Sequence, residues 1–279
     1  MDIKSALRKG TSILLDNNIK SAKLDSEILM SKVIDKEKKF IILNSHKVIS
    51  KKNLDNFYLL IQERAKRKPI AYLTKKKFFW KHEFEVNENV LIPRPDTEIL
   101  IEQILEITKN RNKLRILDIG IGSGSILMSI LLERKNFFGT GIDLNKKKLQ
   151  ISTINSHKLR LYNRLKLFKS NIDNFNLGKY DLIVSNPPYI KRYNLKYLDR
   201  DISFEPKQAL DGGLDGLSEI RKVVCKSSEL IKRKGYLVLE IGFDQKNKVT
   251  KILQKNGFYI KKVFKDLSNQ DRCIVSIKI

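Results

Sequence analysis

The tetrapeptide Asn186-Pro187-Pro188-Tyr189 follows directly on the apolar run Tyr180-Asp181-Leu182-Ile183-Val184-Ser185, which reads as a buried strand ending in a rigid turn. Two consecutive prolines fix their own φ and cannot continue a central strand, so the backbone leaves the sheet in a defined direction with Asn186 held at the strand end. Such a loop suits a planar amine or amide. The Asn186 side-chain oxygen and a backbone carbonyl of the turn both accept hydrogen bonds from one NH2 group, and the Tyr189 ring offers a flat face for stacking. Taken alone, the segment reads as a proline turn between two elements.

A second motif lies upstream. Leu114-Arg115-Ile116-Leu117-Asp118-Ile119 is a short apolar run, Gly120-Ile121-Gly122-Ser123-Gly124 follows, and a helical stretch opens at Ser125 and runs to Arg134. Glycines let the backbone turn tightly onto a helix N-terminus and approach a ligand closely, where unpaired N–H groups act as donors. The spacing lacks the last glycine of the dinucleotide fingerprint, which argues against a nicotinamide enzyme. Asp143 closes the next apolar run, Phe137 to Ile142, about 20 residues on, where an acidic residue reaches a ribose hydroxyl pair in an open α/β sheet. The competing reading of Asp143 is a helix cap before Leu144-Asn145.

These residues need elements to hold them. From Ile3 to about Lys68 the apolar positions recur at helical spacing, as in Leu24, Ile28, Leu29 and Val33 and again in Leu54, Phe57, Tyr58 and Ile61. That pattern predicts a small helical domain over residues 1–75. Phe84 and Val86 alternate with Glu83, Glu85 and Asn87, so the stretch within 76–95 reads as a hairpin-like linker. From 96 to 279 strands and helices alternate, which predicts an α/β, Rossmann-like sheet, mostly parallel, with helices on both faces. Seven strands are expected: Leu114–Ile119, Phe137–Ile142, Leu165–Phe168, Asp181–Ser185, Tyr236–Ile241, Tyr259–Phe264 and Arg272–Ile279. Leu217 to Ile231 is expected to be helical, and the turn Asp266 to Asp271 fits an antiparallel hairpin at the sheet end. Ligands of such sheets collect beyond the carboxyl ends of the strands at the topological switch point, where the glycine turn and the Asn186 turn would meet.

Together, the glycine turn, Asp143 and the Asn-Pro-Pro-Tyr loop resemble the class I S-adenosylmethionine-dependent methyltransferases that modify planar nitrogens. The resemblance goes further. Pro69-Ile70-Ala71-Tyr72-Leu73, Leu91-Ile92-Pro93-Arg94-Pro95-Asp96-Thr97-Glu98, Phe204-Glu205-Pro206 and Asp215-Gly216-Leu217 are similar to the successive signatures of the peptide chain release factor N5-glutamine methyltransferases, in order, from about Leu24 to the C-terminus. The resemblance implies methyl transfer from S-adenosylmethionine to the glutamine of a Gly-Gly-Gln loop in release factors, with the N-terminal helices recognising that substrate. It also implies that Gly120, Ile121, Gly122, Ser123 and Gly124 line the amino-acid end of the donor, that Asp143 meets its ribose, and that Ile172 forms an apolar wall for its base. Asn186 and the Pro187 carbonyl would orient the acceptor amide, with Pro188 and Tyr189 completing the substrate site and Asn186 also bordering the donor. Two positions depart from the family: Asn171 stands where an acid is usual, and Lys75 where glycine is usual.

Composition sets bounds on this reading. The 56 Lys+Arg against 31 Asp+Glu give a formal charge of +25, a field that could attract nucleic acid or acidic partners. The lysines are spread through every region, as at Lys36 to Lys39, Lys75 to Lys77, Lys146 to Lys148 and Lys261-Lys262, so a compositional bias is favoured and stable nucleic-acid binding is not expected. The first residues lack an apolar signal core and no run spans a bilayer, so a cytoplasmic protein with no membrane partner is expected. Cys225 and Cys273 form no C-x-x-C pair, and His46, His82 and His157 are scattered, so reduced thiols and no metal are expected. Two alternatives stay open: N6-methylation of adenine on a flipped or single-stranded base, and a non-catalytic RNA- or ribosome-binding protein that keeps the fold.

Overall fold

The computed structural model describes residues 1–279, which divide into two compact units. The first comprises Met1–Lys76 and the short segment Asp199–Phe204. Its helices are α1 (Ile3–Asp16), α2 (Ala22–Ile34), α3 (Lys38–Leu43), α4 (Lys51–Ala65) and α5 (Ile70–Thr74). In α1 the buried positions Ile3, Ala6, Gly10 and Leu14 fall three or four residues apart on one face, as a helix packed along one stripe requires. Gly10 permits close approach to α4, because a Cβ there would stand 2.8 Å from the Phe57 ring. Asp2 and Ser50 cap α1 and α4 by accepting from the backbone N–H of Ser5 and Asn53, satisfying donors that helix starts leave unpaired. Phe57, Ile61, Leu29, Met30 and Ile41 are fully buried in the core. One buried ion pair crosses it: Arg64 Nε donates to Asp25 Oδ2 at 2.7 Å, and Arg64 Nη1 reaches Asp201 Oδ2 at 2.7 Å.

Lys75, where the sequence departs from its family, ends α5 at φ 62°, in the left-handed region. The turn that glycine would make is therefore kept, with a Cβ added to it. Left-handed backbone costs a non-glycine residue on the order of 1 kcal/mol, so Lys75→Gly is expected to stabilise the protein by up to about that much. A urea midpoint that falls on substitution would contradict this.

The second unit comprises Lys77–Leu198 and Glu205–Ile279. It opens on a hairpin of β1 (Lys76–Phe79) and β2 (His82–Glu85), whose Phe79 and Phe84 rings meet edge to face at 6.3 Å. There follow α6 (Glu98–Ile107), β3 (Arg115–Ile119), α7 (Ser125–Glu133), β4 (Phe138–Asp143), α8 (Lys146–Lys158), β5 (Leu165–Lys169) and β6 (Tyr180–Ser185). After a stretch of 3-10 turns come α9 (Ser218–Leu230), β7 (Ile231–Glu240), α10 (Lys246–Lys255), β8 (Phe258–Lys265) and β9 (Asp271–Lys278). The seven-stranded sheet has the order β5-β4-β3-β6-β7-β9-β8, parallel through β7 with β9 inserted antiparallel. Side chains alternate across it: Ile116, Leu182, Val184 and Val238 join α6 and α7 in one core layer, and Leu117, Ile183, Leu237 and Leu239 join α9 and α10 in the other, as the period of two along a strand dictates.

One expected boundary moves. Ile231 begins a strand rather than ending a helix, and β7 starts five residues before Tyr236. Ile231 pairs with Tyr180, with a register shift before Leu182. The polar run Lys232-Arg233-Lys234 carries no alternation that would mark this bulged start as strand. No helix is long and apolar enough to cross a membrane.

Candidate active site

Chain order reverses between β3 and β6: β3 leads to β4 on one side, while β6 lies on the other. Their register sets Ile119 beside Ser185, whose Oγ donates to the Ile119 carbonyl at 2.7 Å. The residues that follow, Gly120 and Asn186, thus leave adjacent strand ends into the crevice where open α/β sheets bind ligands. A cavity of about 460 Å³ occupies this place. Gly120, Ile121, Gly122 and Ser123 line it, as do Asp143, Asn171, Ile172, Asn186, Pro187 and Pro188.

The glycine turn is held from two sides. The Gly120 and Ile121 N–H groups donate to the Ile142 carbonyl at 2.9 and 3.0 Å, and Gly122 N–H donates to Asp143 Oδ2 at 3.3 Å. Gly120 and Gly122 have φ of +80° and +56°, and a Cβ on Gly120 would meet nothing within 4 Å, so the backbone here faces open space. Behind the turn, Asn155 is buried in α8 and donates to the Ser123 carbonyl at 2.9 Å, while exchanging two hydrogen bonds with the Glu85 backbone. Gly124 does not line the cavity. It is the N-cap of α7 at φ 84°, its Cα facing the Met128 side chain.

Asp143 lies at the end of β4, 6% exposed. The helix cap falls instead to Asn145, which accepts from Lys147 N–H at 2.8 Å. Asp143 accepts from Asn145 N–H at 3.1 Å and has Lys148 Nζ at 3.7 Å, so its carboxylate is oriented and charge-balanced at the cavity wall. The Asp118 side chain is buried below it with neither oxygen in a standard hydrogen bond. Burial pushes the Asp118 carboxyl up to about 7, Asp143 acting in the same direction and the Leu127 backbone N–H against it.

A folded-state value above the aspartate value of 3.8 means that the folded chain holds a proton the unfolded chain releases. That stabilisation is complete below pH 3.8 and is lost as pH rises through about 7. Wild type is therefore expected to lose stability relative to Asp118→Asn as pH rises across that window, measured by urea midpoints without ligand. Parallel midpoints at both ends of the window would refute the shift.

At the other wall the carbonyls of Asn186, Pro187 and Pro188 accept no hydrogen bond within the chain. Asn186 Nδ2 donates to Thr97 Oγ1 at 3.3 Å, leaving Oδ1 without a partner. Tyr189 departs from its expected place. Its ring does not line the cavity; its hydroxyl donates to Glu240 Oε1 at 3.2 Å and accepts from Arg272 Nη1 at 3.3 Å. Having left the sheet through two prolines, the chain turns Tyr189 back onto the end of β7, where the buried Glu240 takes its proton donor. Burial pushes the Tyr189 hydroxyl well above the usual tyrosine range.

Of the proline-rich segment, Leu91, Pro93, Arg94 and Thr97 line the cavity. Arg94 pairs with the buried Glu205, which also accepts from Ile92 N–H at 3.3 Å. Glu98 is turned away and accepts from Trp80 N–H at 2.7 Å, and Asp96 makes no capping bond to α6. Thr97, Asn155 and Glu240 are missed by sequence reasoning. Thr97 sits inside the recognised segment, whereas Asn155 and Glu240 carry no local signal. Cys225 and Cys273 are both free thiols, and no three His, Cys, Asp or Glu residues are grouped so as to hold a metal ion.

This fold, with its glycine turn and strand-end acid around one cavity, defines a Rossmann-like methyltransferase. Solved structures share the fold: a methyltransferase from Pyrococcus furiosus superposes with a TM-score of 0.53 at 20% identity, covering 70% of this chain and 88% of that one. A ribosomal protein L11 methylase from Lactobacillus delbrueckii does so with a TM-score of 0.51 at 16% identity, covering 68% and 82%. Residues 5–74 match the PrmC N-terminal domain and residues 95–204 the methyltransferase small domain. A release factor glutamine methyltransferase of Clostridium acetobutylicum is 36% identical over 100% of this chain and 99% of its own length. That of Buchnera aphidicola subsp. Baizongia pistaciae is 37% identical over 100% of both. The chain belongs to the release factor glutamine methyltransferase family.

Proposed function

We propose that the protein transfers a methyl group from S-adenosylmethionine to the side-chain amide nitrogen of the glutamine in the Gly-Gly-Gln loop of peptide chain release factors, acting in the cytoplasm. The observation that carries this reading is the meeting, in one cavity, of a ligand-facing glycine turn with unpaired acceptors from Asn186 and Pro187.

The cavity suits the donor. The open face of Gly120 and Gly122 admits a close-lying group, the Asp143 carboxylate is set to accept from ribose hydroxyls, and Ile172 offers the base an apolar wall. Bound there, S-adenosylmethionine supplies a methyl carbon already made electrophilic by its sulfonium. The protein's task is then to bring the nitrogen into line at near-attack distance. An amide nitrogen is a poor nucleophile because its lone pair is delocalised. Asn186 Oδ1 and the Pro187 carbonyl accept from its two N–H groups, fix its plane and favour positive charge developing on it. No aromatic ring lines the cavity, so a flipped base would find none of the stacking surfaces that base-flipping enzymes offer, whereas a slender glutamine side chain needs none. The N-terminal helical unit is read as the part that recognises the release factor.

The test is transfer of labelled methyl from S-adenosylmethionine to a purified release factor and to its Gln→Ala loop variant. Label on the first alone is expected; equal label on both would place the methyl elsewhere.

A further inference from the structure

The carbonyls of Asn186, Pro187 and Pro188 accept nothing within the chain, so the acceptor loop cannot hold its shape through them. Its ends must be held from outside. At the entry, Ser185 Oγ is bound to the Ile119 carbonyl. At the exit, the Tyr189 carbonyl accepts at 2.9 Å from Nε2 of Gln245, a residue 2% exposed that immediately precedes α10.

Gln245 holds more than this one carbonyl. Its Nε2 also donates to the Gly216 carbonyl at 3.0 Å, and its Oε1 accepts from Gly242 N–H at 2.9 Å. Three segments therefore meet on one amide: the exit of the proline turn, the loop before α9 and the bend after β7. A primary amide carries two donors and an acceptor, and two carbonyls with one N–H fit it in a single orientation. Glycines make room for it. A Cβ on Gly216, at φ +76°, would lie 2.6 Å from the Tyr189 carbonyl oxygen and 2.8 Å from Gln245 Nε2, and one on Gly242 would lie 3.0 Å from Gln245 Oε1.

The plain reading of Gln245 is a helix start, since it is the N-cap of α10. An N-cap side-chain oxygen ordinarily accepts from a backbone N–H of the first turn. The Gln245 side chain makes no such bond; it is turned back onto the loops instead. From the Tyr189 carbonyl the chain reaches Asn186 through two prolines whose φ is fixed. Few torsions remain to absorb a shift at the exit, so a displaced Tyr189 carbonyl carries the Pro187 carbonyl and Asn186 with it.

We propose that Gln245 is a positioning residue: through the Tyr189 carbonyl it sets Asn186 and the Pro187 carbonyl in line for methyl transfer. It does not itself line the cavity. This role rests on the reading of Asn186 as the group that holds the substrate amide, and explains how a loop with three free carbonyls keeps them aimed.

The test is steady-state kinetics with a release factor, and S-adenosylmethionine affinity by calorimetry, for wild type, Gln245→Met and the same change made on Asn186→Ala. Methionine keeps the length of glutamine and gives the three segments nothing to bind. Gln245→Met is expected to lower kcat about tenfold or more, as a displacement of a fraction of an ångström from the reacting geometry does. Donor Kd should stay within about twofold, because neither the glycine turn nor Asp143 is bonded to Gln245. On Asn186→Ala the same substitution is expected to cost less than about threefold, the side chain it sets in line being already gone. Wild-type kcat in Gln245→Met, equal losses of kcat and donor affinity, or the full loss repeated on Asn186→Ala would each overturn the role, the last two marking a purely structural glutamine. Gly242→Ala presses on Gln245 Oε1 while leaving every hydrogen-bonding group in place, and is expected to lower kcat about threefold. It carries the test if Gln245→Met does not fold, and wild-type kcat there would overturn the role. Impaired turnover in Asn186→Ala beside wild-type kcat in Gln245→Met removes the role of Gln245 alone; full turnover in Asn186→Ala removes the acceptor reading itself.

Discussion

Asn186→Ala is expected to lower turnover by about two to three orders of magnitude, the range seen when one preorganised polar group is removed from a developing charge. S-adenosylmethionine affinity should stay within a few fold. The division follows from geometry. Asn186 Oδ1 has no partner in the chain while Nδ2 is tied to Thr97, so the oxygen is free to accept from a substrate amide and the side chain makes no bond that holds the glycine turn. Alanine leaves one backbone acceptor, the Pro187 carbonyl, to hold an NH2 group that then swings about the remaining bond. Single-turnover rates with saturating donor would show the loss in the chemical step. Equal losses in turnover and donor affinity would mean that Asn186 serves the donor instead.

Asp143→Ala is expected to show the opposite emphasis, with S-adenosylmethionine affinity weakened by more than about a hundredfold and kcat at saturating donor changed much less. Two hydroxyls donating to a carboxylate make charge-assisted hydrogen bonds, each worth about 1.5–3 kcal/mol. The wild-type carboxylate also accepts from Gly122 and Asn145 N–H, so its removal loosens the glycine turn as well as the ribose site. Both effects fall on binding. Calorimetry reads the result directly, and an unchanged Kd would remove Asp143 from the donor site.

Much of this arrangement is legible in the chain because the relevant signals are local. Strands β3 and β6 are apolar runs that end in glycine or proline, and those residues both stop the strand and create the ligand-facing turn. Asp143 has a competing reading as a helix cap that the sequence alone does not remove; Asn145, two residues on, takes the cap and leaves the acid to the cavity. What the sequence hides is contact across the sheet. Tyr189 follows Asn186 by three residues, yet the charged pair Glu240 and Arg272, from β7 and β9, decides where its hydroxyl goes. Asn155 reads as an ordinary polar residue of α8, and its clasp on Ser123 and Glu85 exists only once α8 packs beside the hairpin and the glycine turn. Ile231 starts a strand that its basic successors disguise. Lys75 shows the reverse case, a residue that breaks the family pattern while the backbone keeps the conformation.

The central claim is that the nitrogen methylated is the side-chain amide of a glutamine held by Asn186 and Pro187. Its most direct test is to offer the protein methyl-labelled S-adenosylmethionine with a release factor and bulk nucleic acid together, and to locate the label by fragment mass spectrometry. Label confined to the side chain of the Gly-Gly-Gln glutamine is the predicted result; label on adenine, or on any other residue of the release factor, would contradict it.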